Sequence, residues 1–227
     1  MPGEKERAMR IVIPVYEGVD MLDVCGPYEM FRWAGFRIDL VAEVPGAVPF
    51  MVNADGGPAI NDPLTLNVPN GLGAAEAADA LWVPGGSPAS LARIIADPDG
   101  AYASFLKAQA PASRYVCSVC EGALLLAAAG LLDGYTVTTH WAFIPYLIQN
   151  YPNVTIADGH PRFHRDGDRL TGGGISSGLD EALKLIELLA GPDKAREVQQ
   201  TTQYYPDPPV SSSIPNTIRS PMAAAPA

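Results

Sequence analysis

A chain of 227 residues, 48% hydrophobic and 18% charged, is long enough to bury the core of one α/β domain. A net charge of −10, from 25 acids against 15 bases, with no basic cluster, argues against sequence-independent nucleic-acid binding and against an anionic membrane surface. No apolar run reaches the ~18–20 residues that cross a bilayer, and three cysteines make no disulfide framework, so a small substrate in a reducing cytoplasm fits best.

Residues 1–9 are charged, lack the apolar stretch of a leader, and read as a flexible lead-in to a single folded region over residues 10–204. Residues 10–15 are a short β-branched apolar run, hence a strand, followed by a helix over residues 25–34 and a second strand over residues 37–42. Residues 50–73, rich in Gly, Pro and Asn, predict a loop or short hairpin on the sheet edge. A strand over residues 80–83 runs into Pro84-Gly85-Gly86. Another, over residues 115–119, is followed by an Ala/Leu-rich helix over residues 122–132 and a strand over residues 135–139. Residues 164–170 predict a hairpin turning on Asp166-Gly167-Asp168, and residues 175–189 and 193–203 carry helical periodicity. Apolar strands alternating with helices predict an α/β fold whose parallel sheet is covered on both faces. Residues 205–227, dense in Pro, Ser and Ala, predict an extended arm with little to bury.

The turn Ser118-Val119-Cys120-Glu121-Gly122 stands out. Strand-forming residues end at Val119 and helix formers begin after Gly122, so Cys120 falls in the turn between them. That is the placement of a nucleophile elbow, with Cys in place of Ser. The amides and dipole at the helix start are expected to stabilise a thiolate. Gly85 and Gly86 follow a strand, and their N–H groups together with that of Glu121 are expected to form an anion hole. Cys117, inside the strand, and Cys25, at a helix head, read as packing residues. Cys117 and Cys120 form a C-x-x-C spacing, but only one of them lies at the helix head, which argues against a redox pair. His160 and His164 carry no assigned role, and no three-ligand metal set is visible.

The segment from Ser118 to Leu132 resembles the cysteine-elbow segment of the ThiJ/PfpI superfamily, and within it that of the isocyanide hydratase (isonitrile hydratase) group. Supporting segments run in the same order: Leu22-Asp23-Val24-Cys25-Gly26-Pro27, Pro84-Gly85-Gly86, Thr138-Thr139-His140-Trp141-Ala142 and Thr171-Gly172-Gly173-Gly174-Ile175. The resemblance covers residues 10–210. It implies a flavodoxin-like, doubly wound, mostly parallel sheet in a three-layer sandwich, and a homodimer. Chains of this superfamily act as isocyanide hydratases, glyoxalases or deglycases, amidases or proteases, or as sensing domains of AraC-type regulators; no helix-turn-helix domain fits after residue 205.

By resemblance, Asp23 matches the carboxylate that protonates the isocyanide carbon, and a carboxyl buried beside a thiol is suited to hold that proton. Read from the residues alone, Asp23 caps the following helix equally well. Glu17 is the competing acid, since other branches place a Glu near this point. His140 matches a His that lies near the cysteine in parts of the superfamily, and Ile175 is expected to wall the pocket. The implied reaction is hydration of an isocyanide to an N-substituted formamide through a thioimidate on Cys120, with no metal or organic cofactor. Two alternatives stand beside it. One is glyoxalase or deglycase action on methylglyoxal-type substrates, with Glu17 or His140 moving protons. The other is a redox or ligand sensor in which Cys120 oxidises. One position departs from the hydratase group: where those chains carry Thr directly after the cysteine, this chain has Glu121.

Overall fold

A computed structural model describes residues 7–51, 64–215 and 218–222. Most of the predicted N-terminal lead-in, residues 52–63 of the predicted edge loop, and residues 216–217 and 223–227 of the predicted arm lie outside the described residues. The first strand, β1 (Arg10–Val15), is wholly buried and leads into α1 (Met21–Trp33) and then β2 (Arg37–Ala42). A small antiparallel pair follows, β3 (Gly46–Pro49) with β4 (Thr65–Val68), and then a two-residue strand β5 (Asn70–Gly71). β6 (Ala80–Val83) leads to α2 (Pro88–Ile95) and α3 (Ala101–Gln109), and β7 (Tyr115–Ser118) leads to α4 (Gly122–Ala128). The chain continues through β8 (Thr136–Val137), α5 (Ile144–Asn150) and β9 (Thr155–Ile156). It ends with the hairpin β10 (Phe163–Asp166) and β11 (Arg169–Gly172), then α6 (Ser177–Ala190) and α7 (Pro192–Thr201).

Among the described residues, seven strands join one sheet in the order β10-β11-β7-β6-β1-β2-β5, parallel throughout except for β10 against β11. α1 packs with α6 and α7, whereas α2, α3 and α4 pack with one another, so helices cover the sheet in two separate layers. This is the flavodoxin-like, doubly wound α/β sandwich. Double cover explains why Ile11, Ile13, Leu81, Trp82 and Val116 are all inaccessible regardless of which face they point to. The chain leaves β1 toward β2 on one side and returns to β6 on the other. The strand order therefore switches between β1 and β6, and the crevice beyond their carboxyl ends is the natural ligand site of such a sheet. Among the described residues no helix is long and apolar enough to cross a membrane.

Three elements differ from expectation, each for a local reason. α1 starts four residues early because Asp20 caps it, its side chain accepting from the Leu22 amide at 3.0 Å. α4 stops at Ala128 because Gly130, at φ 73°, closes a two-bond C-terminal motif: Gly130 N–H to Ala127 O at 2.9 Å and Leu131 N–H to Leu126 O at 2.9 Å. The strand predicted over residues 135–139 shrinks to two residues outside the main sheet. Side chains take amides that a ladder would use: Asp166 accepts from Thr136 N–H and Thr171 from Thr138 N–H. The predicted edge segment, residues 50–73, contributes β4, which pairs in a separate sheet with β3 from before the segment, and β5, the edge strand of the main sheet.

Candidate active site

β7 ends at Ser118 and α4 begins at Gly122, which leaves Cys120 in the turn with φ 54°. A side chain in this left-handed region is disfavoured by roughly 1–2 kcal/mol, so the conformation has to be held. It is held from both sides: Cys120 N–H donates to Gly173 O at 2.9 Å, and Thr139 Oγ1 donates to Cys120 O at 2.7 Å. Gly122 makes the turn possible, because a Cβ there would fall onto the Val83 carbonyl oxygen at the end of β6. The thiol is thereby fixed beside the switch point.

Asp23 approaches from the head of α1. It is not the helix cap, which Asp20 supplies, so its carboxyl is free to turn inward. Pro27 lies inside α1 and has no N–H for the Asp23 carbonyl; the Trp82 indole N–H occupies that carbonyl instead, at 3.0 Å. Gly85 N–H then donates to Asp23 Oδ2 at 2.9 Å, while Oδ1 is buried without a partner. A missing helix bond and one glycine amide thus tie Asp23 to β6.

Glu121 also turns toward the sulfur. Its carboxyl rests against Gly85 and lies within 4.8 Å of the Cys120 sulfur. Asp23, Cys120 and Glu121 each bring one donor atom within 4.8 Å of the others, close enough to ligate a single cation. No such set is visible in the sequence because Asp23 lies far earlier in the chain. Of the amides expected to form an anion hole, that of Gly85 is engaged by Asp23.

The electrostatics reverse one expectation. α4 is only seven residues long, and the amide that reaches the sulfur is that of Ile175, from the loop after β11. Burial, then the charges of Asp23 and Glu121, push the Cys120 thiol well above its usual range instead of toward a thiolate. Burial also raises Asp23 well above the carboxylate range, with Asp20 and Glu121 adding to it. Glu121 is raised by burial to about 7, the thiol and the Glu121 and Gly86 amides pulling the other way. The site therefore stores protons at neutral pH.

Beside it lies a cavity of about 290 Å³ lined by Asp20, Glu121, His140, Trp141, Phe143 and Ile175, together with Gly86 and with Arg219 and Pro221 from the C-terminal arm. Cys120 is 1% exposed and does not itself line the cavity, which Glu121 and Ile175 do. Ile175, at φ 33°, offers its amide to the sulfur and its side chain to the cavity. His140 forms part of the wall. Its Nδ1 accepts from Ala142 N–H at 3.2 Å, burial lowers its pKa, and Gly174 leaves room for its ring. Glu17 is exposed and faces a different cavity, of about 590 Å³, beside β2 and β3. Two members of the site escape a reading of the sequence: Asp20, cap and cavity wall at once, and Tyr16, whose buried phenol donates to Pro84 O at 3.1 Å and feels the charges of Glu121 and Asp23.

Residues 9–188 match the model of the DJ-1/PfpI family. The chain is 36% identical over 211 residues to an isonitrile hydratase of Pseudomonas putida, covering 92% of this chain and 85% of that one. A crystal structure of a ThiJ/PfpI family protein from Pseudomonas syringae superposes with a TM-score of 0.77 at 30% identity, over 90% of this chain and 78% of that one. DJ-1beta of Drosophila melanogaster shares the fold, with a TM-score of 0.73 at 20% identity, over 87% of this chain and 98% of that one.

Proposed function

The chain belongs to the DJ-1/PfpI family, and from that premise we propose that it hydrates an isocyanide to an N-substituted formamide. The reading rests on one observation above the rest: a nucleophile-type cysteine and a fully buried carboxyl, Asp23, raised by that burial well above the carboxylate range, lie within 4.8 Å of each other in one site. An isocyanide carbon needs both at once, a proton and a sulfur. Cys120 sulfur bonds to the terminal carbon as Asp23 gives that carbon its proton and the thiol proton passes to nitrogen, which leaves a protonated thioimidate. Asp23, now a carboxylate, takes a proton from water as the oxygen adds to the imidate carbon; the C–S bond then breaks, the hydroxyl proton returns to sulfur, and the formamide leaves. A cavity of about 290 Å³ walled by Trp141, Phe143 and His140 suits a small aliphatic or aryl substituent. The relative from Pseudomonas putida, named as an isonitrile hydratase, supports the same substrate class.

The same reading makes the protein a cytoplasmic homodimer that needs neither metal nor cofactor. Purified protein incubated with an aliphatic and an aryl isocyanide is expected to form the formamide, followed by absorbance, and to do so equally in the presence of EDTA. Methylglyoxal serves as the parallel substrate. Conversion of methylglyoxal to lactate with no isocyanide consumed would overturn the assignment in favour of a glyoxalase. Light scattering checks the dimer.

A further inference from the structure

We propose that Glu121 is a second catalytic carboxyl, the base that takes the Cys120 thiol proton and later delivers it to the substrate nitrogen. The inference deepens the hydratase reading and takes its substrate from it. The geometry that carries it is local. The Glu121 carboxyl lies within 4.8 Å of the reacting sulfur, rests against Gly85, and lines the cavity from which substrate arrives. Asp23, the other carboxyl within 4.8 Å of the sulfur, is fully buried and is already the acid that serves the carbon, and His140 uses Nδ1 to cap the turn that follows it.

The two acids beside Cys120 sit in different surroundings. Asp23 has one oxygen on a single amide and the other on nothing, which favours a carboxyl that keeps its proton. At Glu121 the thiol and the neighbouring Glu121 and Gly86 amides pull against burial, which favours a carboxylate. Environments that drive two titratable groups apart assign one as acid and the other as base. The groups facing Glu121 are Cys120 in the elbow, Asp20 and Asp23 on the α1 head, Tyr16 after β1, and His140 and Arg219 across the cavity.

The protons balance. Cys120 S–H passes its proton to Glu121, and the thiolate bonds to the isocyanide carbon while Asp23 protonates that carbon. Glu121 then gives its proton to the imidate nitrogen as Asp23 takes one from the attacking water. In the adduct the C–S bond breaks, the hydroxyl proton returns to sulfur as the carbonyl forms, and Asp23 and Glu121 end as they began. The net change is isocyanide plus water to formamide.

The test reads the thiol without the substrate. Iodoacetamide alkylation of Cys120 is followed against pH in wild type, Glu121→Gln and Glu121→Ala, each with Cys25 and Cys117 changed to Ser and Ala. Wild type is expected to show an inflection near the Glu121 value of about 7, and Glu121→Gln to lose it and alkylate at least tenfold more slowly at pH 7.5. The rates should converge at pH 10, and formate should restore the rate of Glu121→Ala. A carboxylate acting only as a repelling charge predicts the opposite, faster alkylation once it is removed; that result, or an unchanged rate, overturns the proposal. Isocyanide turnover is measured in parallel. Loss of the inflection in Glu121→Gln with no turnover by wild type would leave the base in place and remove the hydratase reading.

Discussion

Cys117 and Cys120 lie in one short segment, both free, both buried, and both with thiols held well above the usual range. Cys117 sits inside β7, level with Trp82 on one side and Leu170 on the other, in regular strand geometry. Cys120 sits three positions on with a left-handed backbone, two carboxyls and an amide on its sulfur. Burial alone therefore does not separate a packing cysteine from a reacting one. What separates them is the backbone that swings one side chain out of the sheet and the proton-holding groups that meet it there.

The sharpest way to break this contrast is to remove each sulfur in turn. Cys120→Ala is expected to lower isocyanide turnover by about 10³-fold or more, as loss of a covalent nucleophile does. Cys117→Ala should leave kcat within about twofold and cost on the order of 1 kcal/mol of stability in a denaturant titration, a small packing loss. A folded Cys117→Ala protein without activity would collapse the distinction. Asp23→Asn keeps the shape and removes the transferable proton; kcat should fall by about 10²-fold, the usual share of a general acid, with little change in KM. Gly122→Ala tests the backbone half of the contrast, since a methyl there meets the Val83 carbonyl. A loss on the order of 3 kcal/mol in unfolding free energy is expected, with the elbow disrupted and alkylation of Cys120 altered.

Two smaller effects concern the acids. Glu121 is held at about 7, above its ordinary 4.5, so between those values the folded protein binds more proton than the unfolded chain. Its contribution is complete below 4.5 and is lost as pH rises through about 7. Tm should accordingly decline over that interval, and the decline should be shallower in Glu121→Gln. Burial raises Cys117, and the charge of Glu181 on α6 adds to it. Glu181 is fully buried and neither carboxyl oxygen has a partner. Glu181→Met removes two unsatisfied oxygens at nearly constant volume and should raise Tm by a few degrees while leaving turnover unchanged. A large loss of turnover in Glu181→Met would mean that the acid beneath Cys117 also serves the chemistry.

The elbow was legible because its signals are contiguous: a β run, a cysteine, a glycine, then helix formers. The alternation of strands and helices likewise foretold a parallel sheet covered on both faces, whereas its doubly wound order was legible only through resemblance. Asp23 was legible only through resemblance, since from its own neighbourhood it read equally well as a cap. The residue that does cap, Asp20, the proline that frees the Asp23 carbonyl, and the indole that takes it lie on two elements joined only by folding. The direction of Glu121 could not be read from sequence, because it depends on the vacancy above Gly85. Glu17 is near Asp23 in sequence but leaves the strand before the turn that carries the chain across β6, and it ends on another surface.

The left-handed turn at Cys120 has a consequence for inheritance as well as for chemistry. Glycine is at ease at φ 54° and cysteine is not, so the substitution Cys120→Gly is expected to relieve about 1 kcal/mol of backbone strain. A lineage released from selection on the reaction would find its inactivating change running downhill in stability. Retention of a cysteine at this one position is then a record of continued use, and a glycine in a descendant would mark where that use stopped.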